Sequence, residues 1–126
     1  MSTTIVVLYH SSHGSVEAMA HEIAESIEQQ GATALLRTFV AKNPHDIVIS
    51  KDDLVACDGL AFGTPTRFGM MAAQAKTFWE TTSDLWLKGQ LIDKPACVFS
   101  SSSSMHGGNE ATLLNLSLPL LHHGMM

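Results

Sequence analysis

The sequence contains a continuous run of apolar, largely β-branched residues, Ile5-Val6-Val7-Leu8-Tyr9, followed by small polar residues and then by a helical pattern. A run without polar alternation is typical of a strand buried on both faces, as the strands of parallel sheets are. Residues 58–62 and 96–99 are two more short, mostly apolar strands, each followed by a polar loop and a helix. Three strand–loop–helix units in series predict an α/β fold with a parallel, doubly wound sheet.

The other elements follow from hydrophobic spacing and turn residues. A helix begins near Ser15, a candidate N-cap, and ends before Gly31. We expect a second strand over 34–39, a loop over 40–50 that can include a short strand at 47–49, and a capped helical turn over 50–54. A helix over 70–83, a connection over 83–95 and a last helix over 109–123 complete the chain. Pro119 should kink or interrupt that last helix.

Length and composition limit the classes of protein that this chain can represent. Its 126 residues suit a single domain, 1–126, and 45% hydrophobic residues suit a globular core. The net charge of -5, without any cluster of lysine or arginine, argues against nucleic acid or an anionic membrane as a partner. No apolar stretch is long enough to span a membrane. Two distant cysteines, Cys57 and Cys97, suit buried thiols in a reduced compartment, so we expect a cytoplasmic protein.

Three loops of hydroxyl residues and glycine follow the first, third and fourth strands, and we expect them at one edge of the sheet. Ser11 to Ser15 precedes a helix and can cradle a phosphate with hydroxyls and backbone N–H groups. The loop lacks the lysine of an ATP-type phosphate loop, and the chain has no G-x-G-x-x-G motif. A single phosphate held by neutral donors fits better than a dinucleotide.

Several segments together resemble the flavodoxin-like NAD(P)H:quinone oxidoreductases of the WrbA type. They are residues 7–14 (Val-Leu-Tyr-His-Ser-Ser-His-Gly), 62–69 (Phe-Gly-Thr-Pro-Thr-Arg-Phe-Gly), 99–110 and 121–125 (Leu-His-His-Gly-Met). The resemblance covers nearly the whole chain. It implies a flavodoxin-like sheet with strand order 2-1-3-4-5, FMN as the cofactor and NAD(P)H as the electron donor.

The resemblance also implies residue roles. The phosphate loop is carried over as Ser11, Ser12, His13, Gly14, Ser15 and Val16, and the lining of the flavin ring as Thr64, Pro65, Thr66, Arg67, Phe68 and Gly69. The third loop is carried over as Ser100, Ser101, Ser102, Ser103, Ser104, His106, Gly107 and Gly108. His123 matches a catalytic histidine at the open face of the flavin, and Trp86 matches a tryptophan that a neighbouring subunit contributes to the cofactor site.

Members of that family continue past the Gly-Met dipeptide with a fifth strand and a last helix, whereas this sequence stops at Met126. We therefore expect a sheet of order 2-1-3-4 without the fifth strand and last helix. The absent helix would leave apolar surface near the first helix exposed, and the fourth strand would become an open edge. FMN contacts should remain, with weakened oligomerisation and activity.

The expected function is two-electron transfer from NAD(P)H to a quinone, by a ping-pong mechanism, in a homo-oligomer (a dimer or tetramer). An electron-carrying flavodoxin and a non-catalytic flavin-binding or regulatory partner are the alternatives. Taken singly, His13 and His106 also suit plain loop histidines, Arg67 a surface ion pair and Trp86 a satellite core residue. His122 and His123 are adjacent and point about 100° apart on a helix, so we expect no metal site there.

Overall fold

A computed structural model describes residues 2–126 and contains one sheet of four strands. Every neighbouring pair of strands is parallel, and the strand order is β2-β1-β3-β4. The doubly wound topology and the order 2-1-3-4 predicted from the sequence are therefore confirmed. The strands are β1 (Thr4–Tyr9), β2 (Thr33–Thr38), β3 (Gly59–Pro65) and β4 (Ala96–Ser101).

Helices cover both faces of the sheet, because alternate strand residues point to opposite sides. On one face Val7 and Tyr9 pack with the buried residues of α1; on the other, Val6 and Leu8 join the larger core with the remaining helices. The helices are α1 (Ser15–Gln29), α2 (Lys51–Ala56), α3 (Ala73–Trp79), α4 (Ser83–Leu87) and α5 (Asn109–His122). Each crossover returns the chain to the amino edge of the sheet, so the loops after the strands share the carboxyl edge.

Two strands extend further than predicted. β3 continues through Thr64 and Pro65 because these residues pair with Ser100 and Ser101 of β4. Five predicted loop residues (63–65, 100 and 101) therefore lie in the sheet, which holds the start of both loops rigidly. The predicted short strand near residue 48 is a single parallel bridge, Thr38 to Val48.

Three helix predictions need correction. Ser15 is the first residue of α1 rather than its N-cap; the N-cap is Gly14, whose φ of 96° favours glycine. α3 is shorter than the predicted helix over 70–83, and α4 lies within the predicted connection. The end of α3 has a local cause: the hydroxyls of Thr81 and Thr82 donate to the carbonyls of Phe78 and Trp79.

The segment before α3 is tied to two other elements. The N–H of Met71 donates to Oδ1 of Asn115 in α5 over 2.9 Å, and the N–H of Ala72 donates to Oγ1 of Thr64 over 3.3 Å. Both bonds hold the segment outside the helix, and Ala72 is the N-cap with an extended backbone (ψ of 147°), so α3 begins only at Ala73. In contrast to the prediction, α5 is not interrupted at Pro119 and continues to His122, with Leu116 and Leu120 buried against the sheet side of the core.

The capping prediction at residues 50–54 is confirmed. Oγ of Ser50 accepts from the N–H of Asp53, and Oδ2 of Asp53 accepts from the N–H of Ser50, which is a capping box. One thiol prediction is wrong, since Cys57 is buried but Cys97 on β4 is exposed. Cys97 lies on the edge strand, on the face that α1 covers only in part.

Candidate functional site

The first loop leaves the N-terminus of α1 open. Gly14 caps the helix without any side-chain hydrogen bond, and its own N–H donates to Oγ of Ser11 over 3.0 Å. The first N–H groups of a helix have no partner within it. With the helix dipole, these groups favour an anion at this point. Ser12 and His13 are exposed in front of the helix, while Val16 is buried beneath it.

The second loop forms a tight turn at the end of β3, which we call the crest (Thr64 to Gly69). The backbone of Arg67 pairs with that of Met70, with N···O distances of 2.9 and 3.0 Å. Phe68 and Gly69 between them have positive φ values of 53° and 76°, as in the tightest hairpin turns. The turn projects the ring of Phe68 into solvent with a relative exposure of 102%.

The third loop is joined to the crest by hydrogen bonds. Oγ of Ser100 donates to the carbonyl of Thr64 over 2.8 Å, and the N–H of Thr66 donates to the carbonyl of Ser101 over 2.9 Å. Gly108 is the N-cap of α5 with a φ of 101°, and a Cβ there would lie 3.2 Å from Cγ2 of Thr66. A glycine is therefore required where the third loop passes the crest.

The loop between Ser101 and Gly108 is exposed along most of its length. Oγ of Ser102 donates to the carbonyl of Ser104 over 2.8 Å. Nδ1 of His106 lies 2.6 Å from Oε2 of Glu110, one helical turn later, and this contact lowers the pKa of the glutamate. The remaining residues of this loop, Ser103, Met105 and Gly107, are exposed.

A further contact joins the crest to the first loop, since the guanidinium of Arg67 donates to Oγ of Ser12. The structure thus brings all three loops together at the carboxyl edge of β1, β3 and β4. His10, buried beneath them, has its pKa lowered by burial and then by the nearby charges of Lys42 and Arg67. The edge combines open backbone donors, hydroxyls and positive charge.

Two residues at this edge were missed by the sequence interpretation. Oδ1 of Asn109, directly after the N-cap of α5, is buried and has no hydrogen-bond partner among the described residues. Lys42, in the loop after β2, donates from Nζ to the carbonyl of Ser11. Asn109 could have been found from its place between a glycine pair and a helix. Lys42 reaches the site only through the adjacency of β1 and β2, which local sequence does not reveal.

The structure places His123 far from the three loops. α5 starts at the carboxyl edge, and its 14 residues rise by about 21 Å, so His123 lies near the opposite edge. Consistent with this, the N–H of Met126 donates to the carbonyl of Lys94, just before β4 begins. Within one chain His123 therefore lies away from these loops, and its assignment as a catalytic residue at the open face of the flavin stays a prediction.

The side chain of His123 is buried in the core of its own chain. Its ring is 7% exposed, lies 5.8 Å from the ring of Trp79 and has Nε2 at 2.9 Å from Oγ1 of Thr82. Burial, and then the adjacent His122, lower the pKa of this imidazole. The side chain is therefore a neutral hydrogen-bonded core histidine.

Trp86 is exposed on α4 and lines a groove that runs along α5 from Arg67 to His123. The groove has a volume of about 820 Å³, and apolar side chains such as Met70 and Leu118 form much of its wall. Within one chain, α4 lies away from the three loops. The assignment of Trp86 to a cofactor site therefore stays a prediction that concerns a neighbouring subunit.

Among residues 2–126, no group of three or more histidine, cysteine, aspartate or glutamate side chains is arranged to hold a metal ion. In the same part of the chain, no helix has both the length and the apolar character needed to cross a membrane.

The fold and the polar edge define the class: a flavodoxin-like α/β protein with a ligand site where its parallel strands end. The family described as NADPH-dependent FMN reductase matches residues 3–126. The chain therefore belongs to this family of oxidoreductase enzymes, which confirms the resemblance drawn from the sequence.

Individual relatives agree with the family. A protein named NAD(P)H dehydrogenase (quinone) from Gluconacetobacter diazotrophicus is 39% identical, with 98% of this chain and 69% of the relative covered. A protein of the same name from Chromohalobacter salexigens is 40% identical, with 96% and 68% covered. The crystal structure of a WrbA-like flavodoxin from Agrobacterium tumefaciens matches with a TM-score of 0.83 and 34% identity, covering 99% of this chain and 76% of that one.

Proposed function

We propose that this chain is an FMN-dependent oxidoreductase that transfers two electrons from NAD(P)H to a quinone. The observation that carries the proposal is the meeting of three polar loops at the carboxyl edge of the sheet, linked by the Arg67–Ser12 and Ser100–Thr64 hydrogen bonds. The family match and the names of the relatives support the same chemistry.

The residues present fit FMN. Open N–H groups at the start of α1, together with Ser11 and Ser12, suit its phosphate. The unpartnered Oδ1 of Asn109 can accept a hydrogen bond from a ligand, which would relieve the cost of burying a polar atom alone. Phe68 offers an exposed aromatic ring beside the backbone of Arg67 and Gly69, on which a planar ligand can stack.

Roles for the remaining residues follow from these positions. Thr66, Arg67, Phe68 and Gly69 line the flavin ring, and the third loop from Ser100 to Gly108 closes the other side. When bound, FMN itself supplies the two-electron chemistry between a nicotinamide and a quinone. The chain binds and orients it, and directs backbone donors and the positive charge of Arg67 towards its polar edge.

Donor and acceptor should use the same open face in turn, because both must approach the same ring. We therefore expect ping-pong kinetics, with parallel double-reciprocal lines when NAD(P)H is varied at several quinone concentrations. We also propose that the enzyme acts in the cytoplasm as a homo-oligomer, in which Trp86 of one subunit approaches the cofactor site of another.

The test uses the purified 126-residue chain. Titration with FMN should quench flavin fluorescence at micromolar concentrations, and the loaded protein should oxidise NAD(P)H only when 1,4-benzoquinone is present. A folded protein that neither quenches FMN nor turns over would overturn the proposal.

An electron-carrying flavodoxin is the second candidate, because solved flavodoxins share the fold, one from Bacillus cereus at a TM-score of 0.78 and 20% identity. Two features argue against a carrier, which would normally flank the flavin with large aromatic side chains and dock through an acidic face. The crest contributes one aromatic ring, Phe68, and the net charge of -5 is modest. Turnover of NAD(P)H and quinone without any added reductase favours the enzyme; FMN binding without such turnover favours the carrier.

A further inference from the structure

Lys42 lies beside the phosphate loop, although its own loop follows a different strand. Its Nζ donates to the carbonyl of Ser11. Together with Ser11, Ser12 and Gly14, it lines a polar pocket of about 120 Å³. An ammonium group has three donors, and no other side-chain or backbone acceptor among the described residues takes the remaining two.

The loop that carries Lys42 is held in place. Oδ2 of Asp46 accepts from the backbone N–H groups of Lys42 and Asn43, over 2.9 and 3.0 Å. These two bonds are the leading causes of the lowered pKa of Asp46. Because the turn is closed by a carboxylate, the backbone under Lys42 is ordered before any ligand arrives, and less entropy is lost on binding.

The pocket also contains negative charge that a phosphate must overcome. Glu17 and Asp46 line it, and after burial these two carboxylates are the next causes that raise the pKa of Tyr9 to about 12. A phosphate carries up to two negative charges at neutral pH. Without nearby cations, the carboxylates would oppose the weak attraction of the α1 dipole.

Two cations balance those carboxylates. Lys42 contacts the Ser11 end of the loop, and Arg67 contacts Ser12 from the crest. Both act on the same space, since both lower the pKa of the buried His10. Arg67 also belongs to the wall of the flavin ring, whereas Lys42 contacts only the phosphate loop. The two can therefore be separated by experiment.

We propose that Lys42 is the counter-ion of the cofactor phosphate and sets the preference of this site for FMN over riboflavin. The proposal rests on the proposed function, because it names a determinant of the same cofactor site. Riboflavin has the same ring and ribityl chain as FMN but no phosphate. A counter-ion of the phosphate must therefore affect FMN binding and leave riboflavin binding unchanged.

The experiment compares the affinities of FMN and riboflavin, measured by fluorescence quenching, in the full chain and three variants. Lys42→Met should weaken FMN binding about five- to tenfold, as expected for loss of an exposed charged hydrogen bond to a doubly charged phosphate. Riboflavin affinity should change less than twofold. Lys42→Arg should restore most of the FMN affinity. Lys88→Met removes an exposed lysine of the same charge at the end of α4 and should leave both affinities unchanged.

Salt provides a second measurement. Between about 0.05 and 0.5 M salt, the FMN affinity of the unmodified chain should fall more steeply than that of Lys42→Met. Salt screens the attraction between the Lys42 ammonium and the phosphate, and the variant lacks that attraction. Equal losses of FMN and riboflavin affinity in Lys42→Met would overturn the proposal and assign Lys42 to holding the loop. So would an unchanged FMN affinity. If the unmodified chain binds neither flavin, the proposed function itself fails, and this inference fails with it.

Discussion

Nε2 of His123 donates a hydrogen bond to Oγ1 of Thr82 over 2.9 Å. The direction follows from the single proton of the hydroxyl, which Thr82 donates to the carbonyl of Trp79 over 2.7 Å. The histidine is therefore protonated on Nε2, and its buried Nδ1 has no partner among the described residues. His123 thus connects the end of α5 to the segment that follows α3.

His123→Ala should lower the free energy of unfolding by roughly 2–3 kcal/mol, since it leaves a cavity beside Trp79 and removes the Thr82 hydrogen bond. His123→Gln keeps a donor near the position of Nε2 and should cost less. Urea denaturation measures both values. FMN affinity should stay within about twofold of the unmodified chain; a large loss of flavin binding with unchanged stability would show that His123 reaches the cofactor.

Stability should fall as the pH is lowered from 7.5 to 5.5. His10 and His123 both have pKa values lowered by burial, so near and below the unfolded value of about 6.5 the unfolded chain binds more protons than the folded chain. The stabilisation is complete above that pH and is lost as the pH falls towards the folded pKa values. Denaturation at several pH values measures the slope, which should be smaller in His123→Gln. A flat profile in both proteins contradicts the prediction.

Lys94→Met should destabilise the chain by about 2 kcal/mol. Nζ of Lys94 donates to the carbonyls of Leu54, Val55 and Cys57, at 2.9, 2.6 and 2.6 Å, and so satisfies the open end of α2. Removing the charged donor leaves these carbonyls without their partner. Thermal unfolding measures the loss, with Lys88→Met as a control expected within about 0.5 kcal/mol of the unmodified chain. Equal effects of the two substitutions would show that Lys94 does not stabilise the carbonyl end of α2.

Gly63→Ala should cost about 1–3 kcal/mol, because a Cβ at this position would lie 2.3 Å from Cε2 of Phe99. The ring is buried and has little room to move. Phe99→Leu in the same chain should recover part of the loss, and a double-mutant cycle of unfolding free energies measures this coupling. Strictly additive effects would show that the two residues do not clash.

Asn109→Leu should move stability and cofactor affinity in opposite directions. The substitution removes a buried oxygen without a described partner, so the cofactor-free chain should be as stable or slightly more stable. FMN affinity should fall by about two- to tenfold if that oxygen accepts a hydrogen bond from the ligand. Thermal unfolding and fluorescence titration measure the two effects, and a stability loss with unchanged affinity contradicts the prediction.

The sheet could be predicted because its signal is local. Ile5 to Tyr9 has no polar residue to place on a solvated face, and glycine and hydroxyl residues follow three of the strands. The edge at which ligands bind then follows from parallel topology alone. The exact strand ends could not be predicted, because the extension of β3 to Pro65 depends on pairing with Ser101, 36 residues later.

The position of His123 in the fold could have been inferred from the sequence, whereas that of Lys42 needed the three-dimensional structure. A matching motif identifies a residue type, whereas the direction of α5 decides which edge of the sheet the motif reaches. The predicted length of that helix is enough to place His123, since a helix of this length that returns from the carboxyl edge must end near the amino edge. Lys42 approaches Ser11 only because β2 lies beside β1.

The amides of Met71 and Ala72 are bonded to Asn115 of α5 and to Thr64 of β3. The two residues follow the crest directly, and Met71 also lines the groove along α5. No flexible linker separates the crest from these two bonds. A displacement of the crest by a ligand should therefore be transmitted to α5 and to β3 together. We therefore expect the crest and the groove behind it to shift together rather than independently.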